Sequence, residues 1–126
     1  MNPKTEAILE RTFNFGVNCL LFIETLPKTV GLKVAAFQLA KSSTSVGANY
    51  EEAQRAESGK DFIHKIGIVL KEICESNYWL RVIGKVHTES SRDENYISLL
   101  NESFELKKIF ISIKLTAQQN LKKVKC

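Results

Sequence analysis

The chain has 126 residues, of which 44% are hydrophobic, with only two prolines and six glycines. That length suits one domain around a single core, and so few breakers exclude a loop-rich all-β fold. The net charge of +4 is mild, so its distribution says more about partners than its sum.

In chain order, Asn2 before Pro3 marks the start of a first helix, proline being suited to the first turn. Its stripe runs Ile8, Thr12, Phe15, Cys19, Phe22 and Leu26 in steps of four and three, with Leu9, Phe13, Leu20 and Ile23 alongside. Pro27 stops it. The second helix carries Leu32, Ala36, Leu39, Ser43, Val46, Tyr50 and Ala53 at the same spacing. Several of these are small, with Gly47 beside them, and small residues let helix axes approach toward the short end of the ~8–10 Å range. A second stripe, Gln38, Ser42, Ser45, Asn49 and Glu52, is polar but has little bulk. A solvent face usually carries long charged groups, so this stripe is expected to be partly buried.

Ser58 and Asp61 resemble a capping box ahead of a third helix. Its stripe is Phe62, Ile66, Val69, Ile73, Leu80 and Ile83, with Ile63, Gly67, Leu70 and Cys74 beside it. A face this broad suits a bundle rather than a two-stranded zipper. Lys85 to Ser91 reads as the longest loop, and Ser91 with Glu94 as the cap of a fourth helix. There Ile97, Leu100 and Phe104 begin the apolar stripe, which Leu106, Phe110, Ile113 and Ala117 continue. The tail from Lys122 to Cys126 is expected to fray. Helices over roughly residues 4–26, 31–56, 60–84 and 93–121, joined by short links, predict an all-α protein. The expected architecture is a single antiparallel up-down-up-down four-helix bundle over residues 1–126.

The chemistry-bearing residues do not assemble into a catalytic pattern. A di-iron bundle needs two Glu-x-x-His pairs and two further carboxylates, whereas Asp61-x-x-His64 occurs once. Glu51, Glu52, Glu72 and Glu75 fit salt bridges or solvent better than acid–base work. Nothing supplies a base to activate Ser42, Ser43 or Ser45, and Gly59, Gly67 and Gly84 are isolated rather than a phosphate-binding loop. The sequence therefore predicts no enzyme, no catalytic residue, no metal and no cofactor. Cys19, Cys74 and Cys126 are odd in number and far apart, and Cys19 and Cys74 fall on apolar faces, which points to a reducing cytoplasm. The densest apolar run, Cys19 to Ile23, is far short of the ~20 residues that span a bilayer, so no membrane partner is expected.

Charge is unevenly placed. Between Glu89 and Glu105 there are five acids and one base; between Leu106 and Cys126 there are six lysines and no acid. The helix dipole alone favours that order. The functional reading makes Lys107, Lys108, Lys114, Lys122, Lys123 and Lys125 a nucleic-acid-binding surface. Lys107 and Lys114 are seven apart and share a helix face, but the others do not all join them, so the patch should be diffuse.

The stretches SSTSVGANYEEAQRAES, DFIHKIGIVLKE and YWLR between Ser42 and Arg81 resemble bacterial four-helix-bundle proteins encoded by intervening sequences in 23S ribosomal RNA genes. The accessory variability protein of diversity-generating retroelements is similar to that family. Lys41 and Ser43 depart from the family's usual Arg-Ser-Ala-Thr-Ser, and a lysine presents a point charge where arginine offers a planar fork. The resemblance implies structural or interface roles for Ser42, Ser45, Asn49, Tyr50, Glu52, Phe62, Glu72, Tyr78, Trp79 and Leu80. It also implies a homopentamer with a central channel. With the lysines it suggests a non-enzymatic accessory protein that binds structured RNA or a ribonucleoprotein. The alternative is an oligomeric protein-interaction scaffold that never touches nucleic acid. That alternative rests on apolar and small-residue surfaces too wide for one bundle interior.

Overall fold

Helix α1 begins where Asn2 and Pro3 place it: the Asn2 side-chain oxygen accepts from the Lys4 amide at 2.7 Å, and the helix covers Pro3–Ile23. The structure is a computed structural model that describes residues 2–125, with side chains through Lys123. α1 ends three residues before the expected Leu26. Tighter bonds, Thr25 N to Phe22 O at 3.0 Å and Leu26 N to Ile23 O at 3.1 Å, close the turn ahead of Pro27. Leu26 still buries its side chain. Thr29 caps α2, which covers Val30–Ala53.

Ser58 caps α3, Gly59–Val86, by accepting from the Asp61 amide at 3.0 Å. Asp61 reaches back to the Glu57 amide at 3.2 Å, one residue earlier than a standard capping box. The expected loop after residue 84 is corrected twice. α3 runs on through Val86, and Thr88–Arg92 forms a 3₁₀ turn in which Ser91 donates to the Thr88 carbonyl. Ser91 is thereby taken, and Asp93 caps α4 instead, accepting from Asn95 N at 2.7 Å and Tyr96 N at 3.3 Å. α4 covers Glu94–Lys125, so the tail expected to fray is helical through Lys125. No proline or glycine interrupts it, and lysines suit the carbonyl end of a helix. Cys126 lies outside the described residues.

Each helix packs on its neighbours in sequence. α4 closes the ring onto α1 through the sparsest seam, and the backbones of the diagonal pairs stay apart, meeting only through side chains in the core. This is the up-down-up-down bundle. Its interior is filled by Phe15, Leu39, Ile66, Ile73, Leu106 and Phe110, among others, with Tyr50 edge-on to Phe110 at 5.0 Å. The α1–α2 seam is tight because two glycines face backbone: a methyl on Gly16 would stand 3.2 Å from Ser43 O, and one on Gly47 3.2 Å from Thr12 C and O. Most polar side chains in the interior are matched, the buried Ser43 hydroxyl being without a partner among the described residues. Thr12 donates to its own helix carbonyl at Ile8, and the Ser42 and Ser76 hydroxyls hydrogen-bond across α2–α3 at 2.9 Å. Burial pushes the Cys19 thiol up to about 12, against a smaller opposing effect of the nearby Ser43 hydroxyl.

Two expected faces are corrected. Cys74 is exposed, because the buried line of α3 runs Ile73, Ser76, Leu80 and turns Cys74 outward. On α4 the inward stripe starts one residue earlier than expected, at Tyr96, Leu99, Ser103, Leu106 and Phe110. Leu100 is half-buried, while Ile97 and Phe104 face out. Ser103 belongs inside because its hydroxyl is bonded on both sides, accepting from Asn77 and donating to the Leu100 carbonyl.

Candidate nucleic-acid interface

α3 and α4 lie antiparallel, so the last turns of α3 stand beside the first turns of α4. One contact sets their spacing. The Tyr96 hydroxyl donates to the Leu80 carbonyl at 2.8 Å, and its ring passes directly over Gly84, where any side-chain methyl would collide with the phenol oxygen. Burial pushes the Tyr96 phenol up, and the nearby Arg81 charge offsets part of that. A second contact orients a cation. Asn77 donates to Ser103 Oγ at 2.9 Å, and its amide oxygen accepts from Arg81 Nε, also at 2.9 Å. Arg81 is thus held by an uncharged chain that leaves its positive charge uncancelled.

Outside these contacts runs a groove in two parts that meet at Arg81. The larger part, about 760 Å³, lies among Tyr78, Arg81, Lys85, Ile97 and Asn101. The smaller, about 120 Å³, lies among Cys74, Asn77, Arg81, Phe104 and Lys107. No Asp or Glu lines either part. Lys114 extends the same seam, its Nζ close over Gly67 of α3. Arg81 sits over the Tyr78 ring at 5.8 Å, and Trp79 packs edge-on to that ring at 5.0 Å. Tyr78 and Phe104 are 49% and 46% exposed, unusually open for residues this large.

The six lysines expected to form the surface are therefore not one patch. Lys107 and Lys114 line the α3–α4 seam. Lys108 turns aside and pairs with Glu105 at 3.8 Å. Lys122 and Lys123 are exposed on the last turns of α4, and the Lys125 side chain lies outside the described residues. Arg81 and Lys85 were missing from that set. They belong to another helix, and only antiparallel packing brings them into line with Lys107.

The ten residues marked by resemblance divide between structure and surface. Tyr50 and Leu80 are in the core, Ser42 is bonded to Ser76, and Phe62 is half-buried. Ser45 and Asn49 donate to carbonyls of their own helix, at Lys41 and Ser45. Glu72 is half-buried; burial and then the Glu75 charge push its carboxyl up, while Lys71 and Lys41 pull it down. Trp79 is half-buried, its indole N–H without a partner among the described residues. Glu52 and Tyr78 are exposed. Among the described residues no three of His, Cys, Asp and Glu stand where they could hold a metal ion. No described helix is long and apolar enough to cross a membrane.

The class so defined is an antiparallel four-helix bundle with a cationic, aromatic-lined outer seam. The family described as 23S rRNA-intervening sequence protein matches residues 4–112, and this chain belongs to it. It is similar to the crystal structure of a protein of unknown function from the S23 ribosomal protein family of Bacteroides thetaiotaomicron VPI-5482. The two are 32% identical, the match covers 85% of this chain and 97% of the other, and the TM-score is 0.74. None of the curated proteins compared with the chain matches it.

Proposed function

We infer that this is a non-enzymatic, cytoplasmic accessory protein that binds RNA or a ribonucleoprotein through the α3–α4 seam. The observation that carries the reading is the acid-free groove, in which Arg81, Lys85 and Lys107 have no carboxylate among the lining residues to neutralise them. Cations so placed neutralise backbone phosphates, which gives affinity with little base selection. Oligomerisation would multiply the surface. A homopentamer follows from the family resemblance, and the exposed Phe13, Leu21, Val34 and Phe37 on α1 and α2 supply apolar area for the contacts between copies. Those same residues favour the second reading, a protein-interaction scaffold without nucleic acid.

RNA retention measured at two salt concentrations separates the two. Phosphate contacts predict affinity falling with a log–log slope of about −0.7 to −0.9 per neutralised charge. Arg81→Glu combined with Lys107→Glu should cut retention at least about tenfold with helicity unchanged, more than Lys122→Glu with Lys123→Glu. Retention that is indifferent to salt and to all four changes would leave the scaffold.

A further inference from the structure

We propose that the α3–α4 seam takes an unpaired stretch of RNA, with Tyr78 and Phe104 as platforms on which its bases stack. This rests on the reading of that seam as a nucleic-acid interface and adds what kind of nucleic acid fits it.

Cations alone would suit a duplex and a single strand equally. The aromatic rings do not. In a duplex the flat faces of the bases are occupied by one another, and side chains on a helix surface meet phosphates and ribose hydroxyls. An exposed ring gains nothing from that surface. A single strand offers free base faces, and stacking on an aromatic side chain is tolerant of sequence because every base has one. Tyr78 is half exposed yet held from two directions, by Arg81 at 5.8 Å and by the edge of Trp79 at 5.0 Å. A ring fixed in this way loses little freedom when a base covers it. Phe104 stands in the adjoining part of the groove, between Asn77 and Lys107.

The order of groups along the seam also fits a strand. Lys85, Arg81, Lys107 and Lys114 follow one another from the α3 C-terminal end, with Tyr78 and Phe104 between the first two cations and the last two. From Lys85 back to Gly67, beneath Lys114, α3 rises about 27 Å at ~1.5 Å per residue. That is enough for several nucleotides, within the range of about 4–16 that single-strand grooves accommodate. An acidic peptide would satisfy the cations but has no flat faces for the two rings.

The test compares an end-labelled single-stranded RNA of ~12 nucleotides with its blunt duplex, at equal salt. The wild type should bind the single strand roughly tenfold more tightly. Tyr78→Ala should lose that preference and Tyr78→Phe should keep it. The salt slope should be the same for all three proteins, since no charge changes. Quenching of Trp79, the sole tryptophan, should accompany single-strand binding only. Equal affinity for both forms, or a preference that survives Tyr78→Ala, would overturn the stacking proposal while leaving the phosphate-binding reading in place. Failure of the wild type to bind either RNA at low salt would overturn both. Displacement of the RNA by poly-glutamate at comparable concentration would overturn stacking in favour of a charge-only site.

Discussion

Helix α4 has two long flanks, and they are electrically opposite. Toward α1 it presents Glu94, Glu102 and Glu105 along a groove of about 680 Å³, where the one cation, Arg11, is claimed by Glu102 through two bonds of 2.7 and 2.8 Å. Toward α3 it presents Phe104, Lys107 and Lys114, and α3 answers with Arg81 and Lys85 rather than with acids. The linear sequence shows acids followed by lysines along α4. The folded chain shows acids on one side and cations on the other. Helical phase sorts charge as effectively as position does, so a count along the chain misplaces the surface. The acid-rich first half of α4 borders a positive groove because its acids turn away and α3 supplies the cations there.

Three substitutions test this contrast. The largest effect is expected in the interior beneath both flanks. Ile66 is fully buried, and Ile66→Ala should cost about 2–5 kcal/mol in a denaturant titration. An unchanged midpoint would mean that α3 packs with a different face inward. Next comes the α3–α4 contact. Gly84→Ala drives a methyl into the Tyr96 ring and should cost about 1–3 kcal/mol through overpacking and the loss of the Leu80 hydrogen bond. RNA retention should fall with it, since Arg81 and Lys85 flank the same glycine. The smallest effect belongs to the α1–α4 side. Arg11→Ala removes a solvent-exposed pair and should cost no more than about 1 kcal/mol, with RNA retention unchanged or slightly weakened. If Arg11→Ala destabilised more than Gly84→Ala, α4 would be anchored chiefly to α1 and the contrast would be inverted.

Much of this architecture was legible from spacing alone. The stripes of α1, α2 and α3 step regularly, and nearly all of their residues are buried, although α1 and α2 also carry exposed apolar residues such as Phe13, Leu20 and Phe37. α4 was misphased for a physical reason. It carries two apolar lines, one through Tyr96, Leu99 and Leu106 and another through Ile97, Phe104 and Ile111. The inward line includes a tyrosine and a serine, whose hydroxyls read as polar until their partners at Leu80, Asn77 and Leu100 are seen. Nothing in the sequence of α4 by itself ranks the two lines. The candidate surface was legible where it stayed on one helix, at Lys107 and Lys114. Arg81 and Lys85 could be found only through the antiparallel register that Tyr96 and Gly84 set.

The paired glycines of the α1–α2 seam have a consequence for the apolar surface beside them. Gly16 lies against the backbone at Ser43 and Thr44, and Gly47 against that at Thr12 and Phe13, so each helix is gauged by the other's main chain. Main chain has no rotamers with which to yield. Rolling α1 inward to shelter Phe13 would drive one backbone into the other. The 60% exposure of that ring is therefore dictated by the mould beneath it, not by slack in the packing above. It stands as fixed relief on a hard plate, presented in the same place whether or not anything covers it.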